Sequence, residues 1–584
     1  MAKGRSAKGD NKSHAKPAAL RVVERSTPRP IDEGATVRIV FLGGLGEIGR
    51  NCMALESDGR IVVIDAGLMF PEPNMYGIDL ILPDFTWLRE RAERVDAIVL
   101  THGHEDHTGA LRYLVRDVNV PIYGSELTLG FARHRLEEAR VAHDLTFIEV
   151  ADGERRRIGP FDVEFIPVTH SVPSAHALAV HTPIGIIVHS GDFKLDLTPI
   201  DGRRTDVARL AALGDEGVAL LLADSTNAEE PGFTASEATV GGALRRLFLE
   251  RPKKRMVVAC FASHIHRVQQ IINVAIEQNR KVVLLGRSME NNVKLARKLN
   301  LLHADSAIFV DPANIDRYPP GQICVICTGS QGEPLSALAK LSRGDGKFLK
   351  VGRDDTVILS SHPIPGNEWS VGRVIDDLHR SGAEVIHSGH EPVHASGHAR
   401  QGELRTLLQL VRPRSFVPIH GEYRHLVHHA DLALEMGVPD SRIWVCEDGD
   451  VLVATSAQVR RDGTVPAGFH YISGSTGDLD ETPLEDRRML AEHGVLLITA
   501  GVDKDTGELA ERVVLSSRGW FDGEHEQKLL ASAAEEVSKA LEEQLAMGER
   551  RADVLNKVAQ RAAGRLIGQR FRRQPVILPA ISVL

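Results

Sequence analysis

The stretch Thr101-His102-Gly103-His104-Glu105-Asp106-His107 limits what this chain can fold into more than any other. It follows the apolar run Ala97-Ile98-Val99-Leu100, whose pattern predicts a short buried strand. His102 and His104 lie two positions apart on an extended segment and so face the same side, where two ring nitrogens can converge on one ion. Asp106 and His107 fall where the chain should turn into a helix, which aims them at a second ion close by. A lone histidine is more often a surface or core residue than a ligand. Histidine and aspartate at H-x-H-x-D-H spacing point instead to a metal site.

Further ligand types recur at the ends of apolar runs. His170 ends the run 163–169, Asp192 the run 185–191, Asp224 the run 218–223 and His420 the run 415–419, while Asp65 closes 61–64. Sites assembled from several strand ends are the habit of α/β and layered folds. From about residue 232 to 384 the texture changes to alternating helices and strands without histidine–carboxylate clusters, which predicts a separate α/β domain set into the first. The metal domain is then split in sequence. From about residue 486 a third unit shows two strands and two helices. On its second helix Leu555, Val558, Ala562 and Leu566 share one face, and Lys557, Arg561, Arg565 and Arg570 lie off it. A solvated charged face is the simpler reading of those cations; a phosphate or subunit contact is the alternative.

Two motifs invite other readings. Gly44, Gly46 and Gly49 match G-x-G-x-x-G, but strand, tight turn and strand follow where a dinucleotide site needs a helix. Cys324 and Cys327 form a C-x-x-C inside an apolar run, and strand residues three apart face opposite sides, so both read as buried thiols.

At 584 residues the chain is too long for one core. Its five scattered cysteines fit a reducing cytoplasm, no apolar run reaches membrane-spanning length, and nothing at the N-terminus marks it for secretion. The net charge of −9 does not advertise nucleic-acid binding. Residues 1–30 nevertheless hold eight Lys/Arg against Asp10 and Glu24, and read as a disordered basic arm, either a solvated tail or an RNA contact.

Taken together, His102-x-His104-x-Asp106-His107 with His170 and Asp192 resembles the dinuclear site of the metallo-β-lactamase fold. Asp224-Ser225-Thr226-Asn227, the insertion, His394-Ala395-Ser396-Gly397-His398 and Pro418-Ile419-His420-Gly421-Glu422-Tyr423 resemble its β-CASP nuclease branch. With the C-terminal unit, the chain is similar to the bacterial ribonuclease J family from about residue 36 onward. The resemblance implies an α/β chain: an αββα metallo-β-lactamase sandwich (36–231 and 385–465), an inserted α/β β-CASP domain (232–384), a linker (466–485) and a small α+β C-terminal domain (486–584), with 1–35 as the arm.

It also implies that His102, His104 and His170 hold one Zn2+, that Asp106, His107 and His420 hold the other, and that Asp192 bridges them; mixed N/O ligands suit zinc or manganese. Asp224 and His398 resemble the acid/base pair, and Asp65 would orient a ligand. Phe261, Ala262 and Ser263 would contact substrate, together with a phosphate-cradling turn of His394, Ala395, Ser396, Gly397 and His398. His387-Ser388-Gly389-His390 is a shorter near-duplicate of that turn. The family's occasional calcium site would use Gly77 and Asp79, but Ser473 stands at the position of its later acidic ligand, which argues against Ca2+. The implied activity is 5′-to-3′ exonuclease and endonuclease action on RNA, preferring a 5′-monophosphate, in cytoplasmic mRNA decay and rRNA maturation. The implied partners are RNA, a second or further copies (homodimer or homotetramer) and other RNA-decay proteins, with no membrane. A β-CASP nuclease acting on DNA and a non-catalytic RNA-binding scaffold are the competing readings.

Overall fold

The computed structural model describes residue 32 and residues 34–584, apart from 73, 142–143, 334, 365, 475–476, 480, 521–523 and 571–573. The charges of the expected basic arm lie outside the described residues.

Two sheets form the centre. The first has eight strands, in the order Val459–Thr464, Asp450–Ala454, Val37–Gly43, Cys52–Ser57, Arg60–Ile64, Val95–Val99, Ile122–Gly124, Phe147–Glu149. The second has six, in the order Phe416–Ile419, Val218–Asp224, Gly185–His189, His176–Thr182, Phe161–Pro167, Arg155–Ile158. Strand alternation makes the layers. Val37, Ile39 and Phe41 of the first sheet meet Phe165, Leu178 and Leu220 of the second, whereas Val40 and Leu42 turn outward to pack with Leu111, Leu114 and Leu136. The outer face of the second sheet is covered by Leu210, Leu213, Leu404, Leu408 and Leu432, from the helices Val207–Glu216, Gln401–Val411 and Tyr423–Glu435. The expected αββα sandwich is therefore what the chain builds, with late strands supplied to both sheets after the insertion.

The inserted unit is a five-stranded parallel sheet, ordered Lys281–Leu285, Ile323–Cys327, Arg255–Ala259, Asp355–Leu359, Glu384–His387. Its last strand straddles the boundary expected at residue 384. Cys324 packs into the core on one face of this sheet and Cys327 into the core on the other, both as buried thiols.

The segment 466–485, expected as a linker, contains paired strands and the start of a helix. Phe469–Ser473 pairs antiparallel with Leu80–Pro83 and with Gly477–Leu479, and a helix already runs over Glu481–His493. Tyr471 and Ile472 are buried there, because aromatic and β-branched side chains fit a pleated half-buried surface. The C-terminal unit gains a third strand, Val576–Val583, parallel to Val495–Val502, with Val514–Arg518 on the other side. The helices Glu524–Ala546 and Ala552–Arg570 cover one face of this sheet. On the second helix the fully buried stripe is Leu555, Ala559, Ala563 and Ile567; Val558 and Leu566 are only partly buried, and Lys557, Arg561 and Arg565 are exposed.

Candidate metal centre and cleft

Parallel pairing puts the chemistry at one edge. Gly185–His189, Val218–Asp224 and Phe416–Ile419 run side by side, so Asp192, Asp224 and His420 emerge together from their C-terminal ends. Arg60–Ile64 and Val95–Val99 do the same in the other sheet for Asp65 and for the segment opening at Thr101. This is the usual ligand edge of an open parallel arrangement.

All seven predicted ligands converge there. The Asp192 Oδ2 atom lies 3.5 Å from His102 Nε2, 3.6 Å from His170 Nε2, 3.3 Å from His107 Nε2 and 3.9 Å from His420 Nε2. His104 Nδ1 is 3.1 Å from both His102 Nε2 and His170 Nε2, and Asp106 Oδ2 is 3.3 Å from His420 Nε2. Three four-residue groups close enough to hold an ion result: His102, His104, His170 and Asp192; Asp106, His107, Asp192 and His420; and Asp192, Asp224, His398 and His420. Asp192 belongs to all three, and the first two are the pair expected for two ions.

These residues fit divalent cations. Asp192 Oδ2 is buried and accepts no hydrogen bond, which is costly for a carboxylate oxygen unless a cation satisfies it. Burial, reinforced by neighbouring rings, pushes His102 and His170 well below the ordinary histidine range, and burial brings His104 down to about 4, so these three stay neutral and keep lone pairs to give. Burial also opposes the charge on His107 and His420, yet the Asp192 carboxylate and its acidic neighbours raise both, His420 to about 10. Positive charge is favoured at that second position. Nitrogen and carboxylate oxygen without a nearby thiolate suit zinc or manganese.

The supports behind the ligands follow from local sequence. Asp65 accepts His107 Nδ1–H at 2.7 Å and the Thr101 N–H at 2.8 Å. It sits at φ +60°, a left-handed conformation unusual for a non-glycine residue. His420 is left-handed too, at φ +54°, and its N–H donates to the Gly44 carbonyl. The glycine motif thus holds a metal-site histidine rather than a dinucleotide. Gly67 is required because a Cβ there would fall 1.6 Å from the Asp106 carbonyl oxygen.

Asp224 and His398 form a direct pair, with His398 Nδ1 at 2.8 Å from Asp224 Oδ2. Burial alone would lower His398, but Asp224 raises it above its ordinary value. The turn ending in His398 packs tightly against His170. His170 Nδ1–H donates to the Gly397 carbonyl at 2.8 Å, and a side chain on Gly397 would collide with the His170 ring. Ser396 Oγ accepts from Asn227 Nδ2 at 2.9 Å and from His398 N–H at 3.1 Å, which leaves its own proton for an anion.

Phe261, Ala262 and Ser263 lead into the helix Ile265–Glu277, and Ala262 accepts from Asn292 Nδ2. Ala262 and Ala395 pack in one core, and the wholly buried Arg267 ties that helix to the Val393 carbonyl at 2.9 Å, immediately before His394. His394 itself is largely buried, with its Nδ1 unpartnered. By contrast, the His387 and His390 rings lie against each other at the end of the inserted sheet, outside the three groups that could hold an ion.

At the expected calcium position, Arg487 Nη1 donates to the carbonyls of Tyr76 and Gly77, at 3.1 and 3.2 Å, and Asp79 accepts from Gly474 N–H. The Tyr76 and Gly77 carbonyls are thus taken by a cation of the chain itself, which does not fit a second cation at those oxygens. The hydroxyls of Thr101 and Thr226, the Asn227 amide and Arg267 carry no site signal of their own in the sequence; each is a common surface or core type whose role depends on distant partners.

Comparison with known proteins places this arrangement. Residues 45–230 match the metallo-beta-lactamase superfamily, 253–378 the ribonuclease J beta-CASP domain, 385–443 the Zn-dependent metallo-hydrolase RNA specificity domain and 482–584 the ribonuclease J C-terminal domain. The chain is 40% identical to ribonuclease J of Mycolicibacterium smegmatis over 560 residues, covering 96% of this chain and 99% of that one. It is 42% identical to ribonuclease J of Synechocystis over 485 residues (83% and 75%), and 37% identical to ribonuclease J 1 of Streptococcus pyogenes over 546 residues (93% and 97%). A crystal structure of an Enterococcus faecalis protein of unknown function, 18% identical, shares the fold at a TM-score of 0.50 over 72% of this chain and 100% of that one. Among the described residues no helix is long and apolar enough to cross a membrane. The chain belongs to the ribonuclease J family and is a metal-dependent ribonuclease of the metallo-β-lactamase fold with an inserted β-CASP domain.

Proposed function

We propose that the chain hydrolyses RNA from the 5′ end and internally, with two zinc ions per chain, and favours a 5′-monophosphate. The observation that carries this is the convergence of six candidate ligand residues on a seventh, Asp192, beside the Asp224–His398 pair. His102, His104 and His170 would hold one ion, Asp106, His107 and His420 the second, and Asp192 both; manganese suits the same donors. Two such ions, when bound, supply an activated water and charge compensation for an in-line displacement at phosphorus. The residues do the rest. Asp224 holds the Nδ1 proton of His398, so His398 Nε2 is the atom that gives a proton to the departing 3′-oxygen. Ser396 offers its hydroxyl proton to a substrate phosphate, with Ser263 proposed as the opposing contact, and the glycine at 397 lets the backbone approach.

In the same reading, residues 36–231 and those from about 388 to 465 form the catalytic lobe, the insertion ends near His387, and the C-terminal unit begins at the helix Glu481–His493. Family membership supports a cytoplasmic homodimer or homotetramer acting with other RNA-decay proteins on messenger and ribosomal precursor RNA.

Protein purified without chelator is expected to carry about two zinc ions per chain by elemental analysis. Absence of any transition metal, with cleavage intact after dialysis against chelator, would sink the two-ion reading. Matched 5′-monophosphorylated RNA and DNA oligonucleotides, offered to the same preparation, test the substrate. Preference for DNA would favour the competing nuclease reading.

A further inference from the structure

We propose that two threonine hydroxyls, the buried Thr101 and the half-buried Thr226, relay carboxylate charge to the metal-site histidines His102 and His420 and thereby set the affinity of the two ion positions separately. The inference rests on the two-ion reading above. Thr101 Oγ1 lies 2.8 Å from Asp65 Oδ2 and 3.1 Å from His102 Nδ1. Asp65 is an acceptor throughout: its Oδ1 takes the Thr101 N–H and its Oδ2 takes His107 Nδ1–H. The Thr101 hydroxyl therefore donates to Asp65 and has only a lone pair to offer His102, so the ring proton of His102 sits on Nδ1. Its Nε2, facing Asp192 at 3.5 Å, keeps a lone pair for an ion.

The second hydroxyl repeats the logic on the other sheet. Thr226 Oγ1 is 2.7 Å from Asp224 Oδ1 and 2.6 Å from His420 Nδ1. Asp224 Oδ1 also accepts the Thr226 N–H, and Oδ2 accepts His398 Nδ1–H. The Thr226 hydroxyl donates to Asp224 and accepts from His420, which leaves His420 Nε2 free toward Asp106 and Asp192. Asp65 thus reaches a ligand of each ion position, His107 directly and His102 through Thr101. Asp224 orients the proton donor His398 directly and reaches His420 chiefly through the 2.6 Å contact of Thr226, its own Oδ1 lying farther from His420 Nδ1, at 3.3 Å.

Valine has the shape of threonine without the hydroxyl. At His102 it leaves the buried Nδ1–H unpaired, and at His420 it leaves only the 3.3 Å contact with Asp224 Oδ1. Each ring is then freer to carry its proton on Nε2 instead, which blocks ligation. Loss of such an outer partner costs about 10- to 100-fold in metal affinity.

The test is zinc content of the full chain at equilibrium with graded zinc–chelator buffers, for wild type, Thr101→Val, Thr226→Val, the double variant and the two serine variants. Each valine variant should need about 10- to 100-fold more free zinc to fill one of its two positions, and the other should fill as in wild type. The double variant should lose both, and serine at either position should restore wild-type filling. Melting of the metal-free proteins checks the fold, and alanine replaces valine should valine fail to fold. Wild-type filling of both positions in the valine variants overturns the relay, and so does equal weakening by serine and valine. A wild type that binds no ion overturns the two-ion reading itself, and the relay with it.

Discussion

Replacing Asp106 by alanine is expected to lower RNA cleavage at least about a hundredfold while the chain still unfolds cooperatively. The carboxylate sits on the short helix Glu105–Thr108 at the mouth of the site, is partly open to solvent and takes no part in a hydrophobic core. Its loss removes one of the four ligand residues at the second position, along with the ring partner of His420 at 3.3 Å. A bound cation contributes several kcal/mol to the charge that develops in the transition state, and each ~1.4 kcal/mol is tenfold in rate. His107→Ala should be as inactive but less stable. His107 is buried, and removing it takes away a donor to Asp65 Oδ2, a loss of about 1–3 kcal/mol for a buried polar group. The measurement is turnover under metal-limited conditions beside a denaturant melt. If either variant keeps more than a tenth of wild-type turnover, the two positions do not act together.

How much of this site can be read from residues alone depends on the range of the interactions. His102, His104, Asp106 and His107 are legible because their spacing on one strand end is itself the signal. His170, Asp192, Asp224 and His420 are legible as polar residues closing apolar runs, since parallel strands bring their C-terminal ends to one edge. Asp65 follows the same pattern, but its left-handed backbone does not, because nothing local demands φ +60° there. Pairings across the chain are the least visible. Phe469–Ser473 reads as a linker until its partner 386 positions earlier, at Pro83, is known. The last strand, Val576–Val583, carries Pro579 in mid-run and no polar alternation, so it lacks the usual strand signature even though it pairs along its whole length with Val495–Val502. Thr101 and Thr226 belong to the same class, since a threonine beside a ligand is silent until the carboxylate it bonds is located.

The turn 394–398 is expected to separate two kinds of cleavage. His398→Ala should slow every mode by about 10²- to 10⁴-fold, the range of a positioned proton donor, because the departing 3′-oxygen needs a proton whether the cut is terminal or internal. Asp224 stays in place in that variant, and His420 keeps its link to Thr226, so the metal site is left standing. Ser396→Ala should behave differently. The Ser396 oxygen accepts from Asn227 and from the His398 N–H, so the proton it offers is directed by the turn itself. A terminal phosphate seated on that proton would hold the first linkage against the metal site, and correct placement can be worth several powers of ten in rate. A triphosphate is bulkier and more highly charged than such a seat would take. Ser396→Ala should therefore depress stepwise degradation of 5′-monophosphorylated RNA well below its effect on 5′-triphosphorylated or circular RNA of the same sequence, where no terminal monophosphate is read. The comparison of both variants on these three substrates distinguishes the roles. Equal loss on all three by Ser396→Ala would mean that its hydroxyl maintains the turn and His398, and that the 5′ end is read elsewhere.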